Sequence, residues 1–136
     1  MRDRLILTVA ALVAFGASLG STFHFDDYAI FADPALTSTS GWWQVWRPVQ
    51  TRPLTYFTFW LNYQLGGRNP AGYHALNLAL HLAAVLLLYD VLCRLLDRRA
   101  ALVAAALFAV HPMQAEAVNY IWARGTLLMT VLCLLS

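Results

Sequence analysis

Apolar residues gather into four runs, at 5–22, 75–96, 100–121 and 126–136, separated by short polar intervals and one long one at 23–74. A helix rises about 1.5 Å per residue, so about 20 apolar residues cross the roughly 30 Å hydrocarbon layer of a bilayer. The first three runs therefore read as transmembrane helices. The fourth is too short to cross as a helix and reads as the truncated start of another span. Small residues crowd the end of the first run (Ala14, Gly16, Ala17, Ser18), as in a cleaved signal peptide. The further runs behind it favour an uncleaved span. The expectation is an all-α membrane protein of three transmembrane helices plus a truncated fourth. Residues 1–136 would form the N-terminal part of a larger transmembrane domain.

The interval 23–74 has a pattern of its own. Between 51 and 65 the residues read as a helix, with Thr51 as its cap and Pro53 in its first turn. Gly66-Gly67 ends it, and Asn69-Pro70 reads as a turn. Thr51, Thr55, Thr58 and Asn62 form a narrow polar stripe, while Tyr56, Phe57, Phe59, Trp60 and Leu61 cover much of the rest. That pattern predicts an interfacial amphipathic helix with its stripe toward water or a cavity. The interval also holds four of the five tryptophans, Trp42, Trp43, Trp46 and Trp60. Such rings settle where a membrane meets water.

Composition supports this picture. Hydrophobic residues make up 60% of the chain and charged residues 12%, about half the roughly 25% usual in a soluble domain. All nine basic residues are Arg, and the net charge of +2 is too small for nucleic-acid binding. Arg2 and Arg4 precede the first run, and Arg94, Arg98 and Arg99 lie between the second and third. The positive-inside bias puts both sets in the cytoplasm and residues 23–74 outside it. Cys93 and Cys133 fall in or beside apolar runs, which implies neither a disulfide nor a metal site.

Ionisable groups at membrane depth are costly and call for a reason. His74, Asn77 and His81 share one face of the second helix, and Asp90 points the other way near its cytoplasmic end. In the third run Pro112 should kink the helix and free a backbone carbonyl near position 108. His111 and Glu116 lie close to the outer end there, and Arg124 follows. Where the first run ends, the stretch "STFHFDDY" places His24 beside the adjacent carboxylates Asp26 and Asp27, which repel each other. Each feature has a plain structural reading. The second-helix triplet makes a hydrogen-bonded seam between helices, Arg124 snorkels, and the Asp pair forms a hydrated turn.

Taken together, His24, Asp26, Asp27, His74, Glu116 and Arg124, with Arg52 on the interfacial helix, can converge on one outward-facing cavity. A carboxylate there deprotonates an acceptor, and an arginine fork holds a phosphate. The combination suits group transfer from a lipid phosphate. It equally suits a proton-coupled transporter or channel subunit relaying through Glu116 and His111, and a small non-catalytic membrane scaffold is the third reading. The His and Asp spacing matches no metal-ligand pattern, so neither metal nor cofactor is expected.

The stretches "DDY", "RPLTYFTFWLNYQLGGRNPAGYHALNLALH" and "LFAVHPMQAEAVNYIWAR" resemble the N-terminal part of the GT-C superfamily of membrane glycosyltransferases. The branch most similar is that of the transmembrane and tetratricopeptide-repeat O-mannosyltransferases and their bacterial relatives. The resemblance runs from about residue 23 to 128. It implies an all-helical, multi-spanning enzyme that takes a sugar from a polyprenyl- or dolichyl-phosphate donor and passes it to a hydroxyl acceptor, protein Ser/Thr or glycan. Such an enzyme would sit in a membrane, the plasma membrane of a bacterium being the expected one, with its site facing the periplasm or outside. Carried over by position, Asp26 is the general base, Asp27 positions the acceptor or its partner carboxylate, and Glu116 is the acidic residue after the third span. Arg52 and Arg124 are the ligands for lipid phosphate, with His111, His74 and His81 lining the substrate site. The chain departs from the pattern at Ala123-Arg124-Gly125-Thr126, where members often read Gly-Arg-Ala-Asp. It carries no tetratricopeptide repeat.

Overall fold

The computed structural model describes residues 1–47 and 51–136. Among them there are helices and no strands. Helix α1, Arg2–Phe15, runs on through a tight 3₁₀ stretch, Gly16–Gly20. Together these make one of the two segments among the described residues that are long and apolar enough to cross a membrane; the other is Pro70–Leu95. Two one-turn helices follow in the outer segment, α2 (Ala29–Ala32) and α3 (Pro34–Thr37), and then a 3₁₀ stretch at Gly41–Trp46.

Helix α4 spans Pro53–Gly66, close to the expected 51–65. Thr51 does not cap it: Arg52 holds the N-cap position and the helix starts at Pro53, whose fixed φ suits a first turn. Gly67 ends it at φ 57°, a conformation that glycine adopts without steric cost. Asn69-Pro70 is not a free turn but the start of α5, Pro70–Leu95. The Asn69 side chain accepts the Ala71 N–H there, so the second long helix begins five residues before the apolar run.

The third apolar run is broken rather than kinked. Helix α6, Arg98–Val110, stops short of Pro112, and α7, Gln114–Asn119, starts after it. The His111 N–H donates to the Phe108 carbonyl, the one that a proline at 112 was expected to free. The freed carbonyl is that of Ala109, and the His81 ring, from α5, takes it at 3.0 Å. A carbonyl only accepts, so Nε2 of His81 carries the proton. A short 3₁₀ turn, Ile121–Ala123, leads into α8, Arg124–Leu135.

Two larger cores and a small cluster of Phe15, Leu78 and Val118 hold these elements. At one end α1, α5 and α6 meet through Leu7, Ala11, Val85 and Tyr89 and the alanines 101, 105 and 109. That four-residue spacing puts the alanines on one face of α6, and all three are fully buried. Small side chains there let the helix backbones approach closely. Ion pairs tie the same end. Asp3 accepts from Tyr89 at 2.7 Å and from Arg98 at 2.6 and 3.0 Å, and Arg4 grips both oxygens of Asp90. At the opposite end the outer segment builds an aromatic core of its own. Ile30, Leu36, Val45, Phe59, Tyr73 and Ile121 are buried there beneath further rings such as Phe23, Phe31 and Trp122.

Candidate functional site

The two adjacent carboxylates resolve their repulsion by facing apart. His24 leaves the 3₁₀ stretch in extended backbone, Phe25 turns the chain at φ 45°, and Phe25–Tyr28 forms a tight turn. Asp27 is fully buried in that turn. One of its oxygens accepts the His24 N–H and the other the Trp122 N–H, both at 2.9 Å. Asp26 points outward and is exposed. Its Oδ2 accepts the Tyr120 hydroxyl at 2.9 Å.

Asp26 lines an open cavity of about 540 Å³ together with His24, Phe25, Ala115, Glu116, Asn119 and Tyr120. Two carboxylates 90 positions apart in the sequence thus share one cavity. The helix break at 111–113 makes this possible, because it starts α7 afresh and puts Glu116 in its first turn. His111 serves the break itself: its Nδ1 accepts the Met113 N–H at 3.2 Å.

Arg124 has a different environment from the one expected. It is fully buried and lines none of the cavities found among the described residues. Its Nε donates to Asn77 Oδ1 at 2.7 Å, Nη1 to Asn62 Oδ1 at 2.7 Å and to Thr58 Oγ1 at 3.3 Å, and Nη2 to the Tyr73 carbonyl at 3.0 Å. The Phe59 ring lies 4.6 Å from its guanidinium carbon, within the roughly 6 Å reach of a cation–π contact. Burial pulls this guanidinium down to about 9, which leaves it charged at neutral pH. The polar stripe of α4 is therefore divided: Thr51 is exposed and lines a recess with Thr55, whereas Thr58 and Asn62 turn inward. At that inner end the stripe faces a buried arginine.

His74 and His81 are also fully buried, so the structure does not bring them to the carboxylate cavity. Arg52 is exposed and stands at the rim of a groove of about 500 Å³ between α4 and α8. Leu54, Leu128, Met129 and Leu132 give that groove its apolar wall. A second recess joins Arg52 to Thr55, Tyr56, Phe59 and Trp122. Trp122 links the two regions, since it lines this recess and its backbone N–H donates to Asp27 beside Asp26. Tyr120 escaped the sequence reading. A tyrosine near a helix end reads as an interfacial anchor, and nothing local reveals a partner 94 positions away.

No family model matches the chain, and no solved structure matches it significantly. It is 35% identical, over 98% of its length, to a protein O-mannosyl-transferase of Caenorhabditis elegans. It is 33% identical over 98% of its length to protein O-mannosyl-transferase TMTC4 of Homo sapiens, and 34% identical over 96% to TMTC1 of the same organism. The chain spans 22% of the length of the first two and 17% of the third. The homologues of this chain are thus proteins named protein O-mannosyl-transferase, of the TMTC kind within the GT-C type, and it matches them over nearly all of its own length.

Proposed function

We propose that the chain forms part of a membrane glycosyltransferase that moves a sugar from a polyprenyl- or dolichyl-phosphate donor to a hydroxyl of a protein acceptor. The observation that carries this reading is the shared cavity of Asp26 and Glu116, in a chain whose relatives are named for mannosyl transfer to protein. Asp26 is the general base. A hydroxyl is a poor nucleophile, and a carboxylate that takes its proton during attack contributes on the order of a hundredfold or more. Glu116, across the same cavity, holds the acceptor hydroxyl or shares its proton. Asp27 shapes the turn and does not reach the acceptor.

The leaving group is a phosphate, whose growing charge a fixed cation stabilises. Arg52 is the exposed cation beside an apolar groove, so it receives the phosphate while the prenyl chain lies along Met129 and Leu132. Arg124 acts at a distance, by bracing α4, α5 and α8. The spans 5–22, 75–96, 100–121 and 126–136 cross or enter the membrane, with α4 at the interface. The carboxylates then open on the side away from the cytoplasm, the periplasm in a bacterium. There a lipid donor arriving in the bilayer meets an acceptor arriving from water.

The test uses the complete protein in native membranes, a radiolabelled polyprenyl-phosphate mannose and a Ser/Thr-containing peptide. Asp26→Asn and Glu116→Gln should each lower transfer strongly, by about a hundredfold for Asp26, with expression unchanged. Asp33→Asn is the control. The Asp33 side chain caps α3 by accepting the Ala35 N–H at 2.8 Å, and Asn caps as well. Full transfer by Asp26→Asn would sink the proposal.

A further inference from the structure

We propose that Tyr120 is a positioning residue for the Asp26 carboxylate. The inference rests on Asp26 being the base and adds the group that aims it. Tyr120 lies between α7 and the Ile121–Ala123 turn, in extended backbone at φ −93° and ψ 110°. Two residues of this segment reach the 24–28 turn, and each takes one of the adjacent carboxylates. The Trp122 N–H takes Asp27, and the Tyr120 hydroxyl takes Asp26. The first bond docks the segment. The second is left to act on a side chain that is otherwise free.

Asp26 is exposed, with two soft side-chain torsions, on a turn whose neighbour Phe25 holds a positive φ. A bulky residue in that region costs about 1 kcal/mol or more and persists only where its surroundings impose it. Here Asp27 imposes it, by accepting the His24 N–H at the start of the turn and the Trp122 backbone N–H from the segment packed against it. The backbone under Asp26 is therefore fixed, and its carboxylate alone remains to be oriented. The Tyr120 hydroxyl holds Oδ2. Among the described residues Oδ1 takes no hydrogen bond and is left for an acceptor hydroxyl in the cavity that both residues line.

Fixing the attacked proton and its acceptor in one geometry lowers the barrier by removing orientations that lead nowhere, and a misplacement of about 1 Å costs up to a hundredfold. The ring of Tyr120 also walls the cavity, but the wall needs only the ring. Removing the hydroxyl alone separates the two roles.

The experiment measures initial rates in the complete enzyme, with polyprenyl-phosphate mannose and a Ser/Thr peptide, for Tyr120→Phe, Asp26→Asn and the double variant. Tyr120→Phe should lower kcat about tenfold, with KM for the donor and the melting temperature unchanged. In the Asp26→Asn background it should change nothing further, because the group it positions is gone. An unchanged kcat in Tyr120→Phe overturns the inference and leaves the proposed function standing. A tenfold fall that persists in the Asp26→Asn background also overturns it, since the hydroxyl then acts elsewhere. Full activity of Asp26→Asn removes both the base and its positioning, so the failures are told apart.

Discussion

Replacing Arg124 with alanine tests whether this residue braces the fold or binds the donor. The structure gives it four hydrogen-bond acceptors, from α4 and α5, and stacks it on Phe59. Asn77 is fully buried, so its Oδ1 loses its donor where water does not reach; an orphaned acceptor of this kind costs about 1–3 kcal/mol. The desolvated cation–π contact contributes about 2 kcal/mol more. Against these stands the relief of no longer burying a guanidinium, worth several kcal/mol in the opposite sense. The Asn62 Oδ1 and the Tyr73 carbonyl lose their donor as well, at a similar cost each, so the losses exceed the relief and the net expectation is a destabilisation of roughly 2–4 kcal/mol. Lysine should not rescue it, because one ammonium does not span acceptors arranged for a planar fork. The assay is thermal unfolding of the complete protein in detergent, read beside binding of a polyprenyl phosphate. Arg124→Ala should melt markedly earlier, whereas Arg52→Ala should melt normally and bind lipid less tightly. An Arg124→Ala protein of unchanged melting temperature that no longer binds the lipid would refute the brace.

His81→Leu keeps the volume of the side chain but orphans the Ala109 carbonyl, and should cost about 1–2 kcal/mol; an unchanged melting curve would show that the helix break at 111–113 satisfies itself. A single cysteine at Gly67, in a protein lacking Cys93 and Cys133, should react with an impermeant thiol reagent from the side away from the cytoplasm. Reaction only after the cytoplasmic face is opened would overturn the topology and every site assignment built on it. Salt should weaken the Arg4–Asp90 pair, which is largely exposed, so Arg4→Gln should cost about 0–1 kcal/mol in the same melts.

The sequence by itself determined the class of this protein. Apolar runs of span length and few charges led to a helical membrane protein, and the outer helix α4 stands close to its expected bounds, whereas α1 and α5 overlap their apolar runs but start ahead of them. Pro53 marked a helix start because its fixed φ suits a first turn, and Gly67 a helix end because glycine takes a positive φ without steric cost. Helix continuity was harder to read. Pro112 announced a disturbance, but its outcome depended on His81 standing in α5 to donate to the loose carbonyl of Ala109 at the end of α6. The partners of charged groups were wholly a tertiary matter. Asp26 and Asp27 are neighbours with the same side chain, and only packing against the 120–122 segment buries one and leaves the other facing the cavity. Arg124 looked like a free cation because its acceptors, Asn62, Asn77 and the Tyr73 carbonyl, lie on two other helices. Periodicity reports which face of a helix is polar. Where that face points, to water, to a ligand or to a buried charge, is decided when helices distant in sequence meet.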